Sequence, residues 1–243
     1  MFKYTIKKAF EKEFPNKIWR IEVNYKNELL AIETRSESAP EAKVDILNFS
    51  GHQFYSIQET EKEWTLFAIT PDYVLLKRTG QNSPMDPGLK CVPFNGSKAY
   101  THPGIIPLEV RGNQVLVQQV GFHLSNSFSY FDVNSKELTI SKEHLTPDNN
   151  HIITPEMNRG HSSTNQGDPV WKSKYDELEV SCFHKRKNGS YDLHIEVKKG
   201  VKTIYETAIL EGLTKILLQP YFQINHRLFF LSENQRKLIT YLL

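Results

Sequence analysis

The chain reads as an all-β protein assembled from small antiparallel meanders, and three observations lead there. Short runs alternating between apolar and polar residues cover most of its 243 residues, with turn dipeptides between them. Its 11 Tyr, 14 Phe and 3 Trp suit strands better than helices. The outline set by residues 19–58 then returns further along the chain.

In order, residues 2–14 alternate loosely around Tyr4, Ile6 and Phe10 before Pro15, which reads as a lone strand or, alternatively, a short amphipathic helix. A first meander follows. Trp19 to Asn24 turns at Lys26-Asn27-Glu28 into residues 29–35, a loop over 36–42 carries Glu37 and Glu41, and residues 43–49 turn at Ser50-Gly51 into 53–58. A second begins at Trp64, aligned with Trp19, and continues through 73–78, a long loop over 80–87, 89–94, an Asn95-Gly96 turn and 98–102. A third reads 106–110, 115–120, 128–133 and 137–141.

Residues 142–174 break the spacing. They hold Pro147, Pro155, Gly160, Gly167 and Pro169 among many polar residues, show no sustained period, and read as an irregular insertion. Strands resume over 177–185, a Lys187-Asn188-Gly189 turn, 191–197 and 203–210. A last set covers 217–224, 227–232 and 237–243. Leu29, Tyr73, Gln114, Asp176 and His226 mark the second strands of five units, at intervals of 44, 41, 62 and 50 residues. The last unit ends one strand short, and the amino-terminal strand has no meander of its own. Placing that strand at the edge of the last unit supplies the missing member and removes a free edge.

One meander cannot bury both of its faces, so the units must stack. In strand order the outline resembles a five-bladed β-propeller, closed by the N-terminal strand, over a single domain spanning 1–243. It is also similar to propeller-like bacterial proteins known only as a family of unknown function, a resemblance that implies no site residues. No Trp-Asp or other blade signature ends the units. A β-sandwich fits regularly spaced short strands as well.

A hydrophobic fraction of 39% with 24% charged residues is that of an ordinary globular protein. Thirty Lys and Arg against 28 Asp and Glu, spread without a basic block, do not indicate nucleic-acid binding. Two cysteines, Cys91 and Cys182, are too few for a disulfide framework and read as free buried thiols. No run reaches membrane-span length and the first residues lack a signal-peptide core, so a cytoplasmic protein with no membrane partner is expected.

Several residues are candidates for chemistry. Ile21-Glu22-Val23, Leu108-Glu109-Val110, Leu178-Glu179-Val180 and Ile195-Glu196-Val197 each set a carboxylate between apolar strand neighbours. If Glu22, Glu109 and Glu179 faced one central cleft, they would suit glycoside hydrolysis, in which one carboxyl donates a proton and another attacks or activates water. Glu is also an ordinary outward residue of a half-buried strand. Asp168, before Pro169, resembles the Asp-Pro dipeptide beside the catalytic acid of some furanoside hydrolases, but Gly167 stands where that motif has Arg, and Asp-Pro also starts turns.

Six of the nine histidines fall between His102 and His184. Those of the irregular segment, His144, His151 and His161, are binding candidates together with Trp171, an aromatic expected at its surface. Their spacing matches no metal motif, and no cofactor fingerprint is present. The sequence therefore points to a binding or scaffolding module for a protein or small molecule, with a glycoside hydrolase as the alternative. The insertion and the loops between second and third strands are expected to share the binding face.

Overall fold

The computed structural model describes residues 4–38, 41–78, 87–121, 127–145, 152–160 and 168–243, and these contain strands and turns but no helix. The chain divides into two compact units, residues 16–150 and residues 1–15 with 151–243. The first strand, β1 (Lys7–Glu13), lies in the unit built from both chain ends.

The 16–150 unit is three antiparallel four-stranded sheets. They comprise β2 (Lys17–Asn24), β3 (Leu29–Arg35), β4 (Ala42–Asn48) and β5 (Gln53–Glu59); β6 (Trp64–Ile69), β7 (Tyr73–Arg78), β8 (Gly88–Pro93) and β9 (Tyr100–Pro103); and β10 (Ile105–Arg111), β11 (Gln114–Gln119), β12 (Phe128–Asp132) and β13 (Leu138–Ser141). Each pairs its strands in chain order, as hairpin connections require.

The middle sheet is buried on both faces, and its sequence shows why. Successive strand side chains point to opposite sides. Val74 and Leu76 of β7 join Ala31, Val44 and Ile46 of the first sheet, whereas Leu75 between them joins Ile105, Val115 and Phe131 of the third. A strand covered on both sides reads as an unbroken apolar run, which is what Val74-Leu75-Leu76 is. A buried carboxylate adds a polar tie between the first two sheets. Glu33, fully buried, accepts from Thr65 Oγ1 at 2.9 Å, from the Leu66 amide at 2.8 Å and from Arg35 Nε at 2.5 Å.

The first strands of all three sheets carry a register shift, between Ile18 and Arg20, between Leu66 and Ala68, and between Pro107 and Glu109. The extra residues are Trp19, Phe67 and Leu108. This corrects the alignment of Trp19 with Trp64. Trp64 is 2% exposed in the core between the first two sheets, as packing between units requires, but Trp19 is 68% exposed and lies over the Arg35 guanidinium. The bulge sets Trp19 outside the alternation that buries Ile18 before it.

The other unit has two five-stranded sheets. One is ordered β15 (Glu156–Arg159), β16 (Pro169–Tyr175), β17 (Leu178–Lys187), β18 (Ser190–Lys199) and β19 (Lys202–Leu213). The other runs from β1 through β22 (Lys237–Leu242), β21 (Arg227–Leu231) and β20 (Tyr221–Ile224) to β14 (Ile152–Ile153). The amino-terminal strand thus pairs antiparallel with the carboxy-terminal one, from Lys7 opposite Leu242 to Glu13 opposite Lys237. The Asn188-Gly189 turn between β17 and β18 has both residues at positive φ, 49° and 86°, the requirement of a tight two-residue hairpin.

Within 142–174, expected to be irregular, lie β14, β15 and most of β16. The first two are short and pair with β20 and β16. Ladders this brief, one of them to a strand far along the chain, leave no local period to detect. Trp171, Cys182, Ile195 and Val197 of one sheet and Tyr221, Leu228 and Phe230 of the other form this unit's core. Both cysteines are free and buried as expected, and burial pushes the Cys91 thiol up to about 11.

Candidate functional site

A cleft of about 290 Å³ opens in the 16–150 unit, lined by the carboxy-terminal halves of β2, β6 and β10 and the turns that follow them. On each strand the lining begins at the bulge or one residue beyond it, with Arg20, Phe67 and Leu108. A bulge bends its strand and re-aims the side chains after it, so three sheets direct residues into one opening. From β2 come Arg20, Glu22 and Asn24, and from its turn Lys26 and Asn27. The apolar wall is Phe67 and Ala68 of β6 with Leu108 and Val110 of β10, and Glu109 stands within that last stretch.

Both carboxylates are held by a guanidinium two residues away on their own strand, the spacing that returns a side chain to the same face. Arg20 Nε donates to Glu22 Oε1 at 2.6 Å, and Arg111 Nη2 donates to Glu109 Oε2 at 2.6 Å. Burial raises the Glu22 carboxyl above the usual glutamate range, against the downward pull of Arg20 and Lys77. Asn24 fastens the rim, accepting from the Asn27 amide at 3.2 Å and donating to the Ile69 carbonyl at 3.5 Å. Behind Glu109, the Arg111 side chain is only 3% exposed, and its Nη atoms lie 2.9 and 3.1 Å from the His144 ring nitrogens. The His144 ring also sits 4.5 Å from that of Phe128.

Of the carboxylates singled out from sequence, Glu22 and Glu109 share this cleft and Glu179 does not line it. Glu179 lies on β17 in the other unit, 3.4 Å from Lys172 of β16. Glu196 is buried and accepts from Thr203 Oγ1 at 2.7 Å. Asp168 leads directly into β16, whose first residue is Pro169, so the dipeptide opens a strand and not a turn; the Asp168 carbonyl accepts from the Gly160 amide and its charge acts on His184. Trp171 is not at the surface. At 3% exposed it packs in the core against the His184 ring, because β16 is an inner strand of its sheet and turns this residue inward. His144 is exposed, and His151 and His161 lie outside the described residues.

The cleft opens beside the turns between first and second strands rather than the loops between second and third, and no described residue of 142–174 lines it. These are opposite ends of the same antiparallel strands, so a loop's length was no guide to which end is hollow. Arg20, Asn24 and Arg111 escaped the reading of the sequence. The available signal was same-face pairing in Arg20-Ile21-Glu22 and Glu109-Val110-Arg111. Among the described residues no three His, Cys, Asp or Glu side chains are grouped to hold a metal, and no helix is long and apolar enough to cross a membrane.

The chain belongs, by its strands, to the all-β class built of several small antiparallel sheets. No protein-family model and no curated protein matches it. Among solved structures it is similar to the β-propeller domain of the Trilobed protease from Pyrococcus furiosus, with a TM-score of 0.38 and 12% identity over 91% of this chain. The chain spans 64% of that structure's length, and likeness at this level says nothing of activity.

Proposed function

We propose that the protein is a binding module for a small polar ligand, and that the cleft of the 16–150 unit is its site. The observation that carries this reading is that three sheets, each through a bulged first strand, deliver charged and apolar groups to one opening. A five-bladed ring closed by the N-terminal strand belongs to the same reading, supported by five sheets among the described residues and by the β1–β22 ladder. A cytoplasmic setting is supported by two buried, unbridged cysteines.

Thermal unfolding of the chain against a library of small molecules tests the reading. A ligand at 100 times its dissociation constant adds about 2.7 kcal/mol. The expected result is a stabilising ligand whose effect disappears when Glu22 and Glu109 are both replaced by Ala. A stabilising ligand indifferent to that double replacement places the site elsewhere.

A second reading, glycoside hydrolysis, is favoured by one observation: two candidate carboxylates share the cleft and burial holds one of them towards its protonated form, as a general acid requires. Release of nitrophenol from a panel of nitrophenyl glycosides, abolished by Glu22→Gln, is the outcome this reading requires.

A further inference from the structure

Resting on the cleft as the binding site, we infer that its ligand is a neutral, hydroxyl-rich molecule of about the size of one sugar ring. The charge pattern carries the inference. The lining holds two cationic residues, Arg20 and Lys26, and two carboxylates, Glu22 and Glu109. Each carboxylate already holds a guanidinium at 2.6 Å. An anionic ligand that takes Arg20 from Glu22 leaves a half-buried carboxylate without its counter-ion, and a cationic one sets a second cation beside a carboxylate that a guanidinium already balances. The first gives up a charge-assisted hydrogen bond, and the second brings like charges together.

A hydroxyl group asks for no exchange. An ionised carboxylate has about four lone-pair sites and a guanidinium five N–H donors. Glu22 receives Arg20 through Oε1 and Glu109 receives Arg111 through Oε2, so each carboxylate has a second oxygen for a ligand hydroxyl. The same hydroxyl accepts from a neighbouring guanidinium N–H while it donates to the carboxylate. Two adjacent hydroxyls on a ring therefore match one Arg–Glu pair.

The rest of the lining suits the other side of such a ring. Leu108, 53% exposed, Phe67 and Val110 offer an apolar face to the C–H groups of a pyranose, which are as much a part of a sugar as its hydroxyls. The volume of about 290 Å³ lies just below the usual range of ligand pockets, about 300 to 1,000 Å³, and so suits a single ring.

Titration calorimetry on the full chain tests this with matched probes: glucose, galactose, xylose and myo-inositol as neutral polyols, glucose 6-phosphate and glucuronate as anions, and glucosamine as a cation. The expected result is binding of at least one neutral probe, tighter than its charged counterparts. Its affinity should fall at least tenfold in Glu22→Ala and in Glu109→Ala and stay unchanged in Trp19→Ala, outside the cleft. Glu22→Gln, which keeps shape and an acceptor, should lose less than Glu22→Ala and shows that any loss is not unfolding. Tighter binding of a charged probe, removed by the cleft variants, overturns the ligand class while leaving the cleft as the site. Binding of no probe, or binding that ignores those variants, overturns both.

Discussion

The two compact units differ in where some of their polar side chains end. In the unit formed by the chain ends, one group of buried polar side chains is closed on itself. Ser173 Oγ lies 2.8 Å from the Tyr221 hydroxyl and donates to Gln223 Oε1, and all three residues are buried. His184, 2% exposed, accepts from the Leu217 amide at 3.2 Å between the rings of Trp171 and Tyr191. In the 16–150 unit Glu33 is closed in the same manner, but Arg20, Glu22 and Glu109 end in an opening. The difference separates two roles for one residue type. A carboxylate surrounded by donors holds sheets together, whereas one with a single partner and a free side is available to a ligand.

The largest effect that would sharpen this contrast belongs to the apolar frame around both kinds of carboxylate. Leu75→Ala, in the strand covered on both faces, should cost about 2 to 5 kcal/mol in urea unfolding. A loss under 1 kcal/mol would mean that the middle sheet is not clamped as described. Glu33→Ala should cost about 3 kcal/mol, since it leaves the buried Leu66 amide and Arg35 Nε without their acceptor. Glu22→Ala in the same assay should cost under about 1 kcal/mol. Equal costs at the two sites would erase the distinction between tie and binding group.

His184 offers a test by pH. Burial lowers its pKa from 6.5 to about 4, against an opposing pull from Asp168. A histidine whose folded pKa lies below its unfolded value contributes fully above pH 6.5. That contribution is lost as pH falls from 6.5 towards 4, because the unfolded chain binds the proton first. The loss approaches about 3 kcal/mol at the acid end. Stability measured from pH 7.5 to 4 should slope less steeply in His184→Gln, and an unchanged slope would mean that the ring is not buried neutral. Smallest of all, Trp19→Ala should change stability by no more than about 1 kcal/mol, the worth of an exposed ring over a guanidinium. A larger loss would show that the bulge residue is packed after all.

Much of the strand order was legible because its signals are local. Alternation marked the strands of the first three sheets, and Asn188-Gly189 announced its hairpin by the backbone only such residues adopt readily. The missing partner of the last unit pointed to the first strand, and β1 lies there. Of the cleft, Glu22 and Glu109 were legible as carboxylates in apolar strand settings. Their arginines were not, since nothing in Arg20-Ile21-Glu22 says whether its outer face meets water, a neighbouring sheet or a hollow. Trp171 misled for the related reason that a polar, proline-rich segment surrounds a residue which its sheet turns inward.

By itself, then, the sequence determined the alternation, the turns and the order in which neighbouring strands pair, because these depend on side chains and backbone preferences a few residues apart. Only the tertiary structure decided where β2, β6 and β10 bulge, which carboxylates are enclosed and which stand open, and how residues 152–159 divide between two sheets. Those outcomes depend on packing between strands distant in the chain, where one residue gained in register exchanges the buried side for the exposed one.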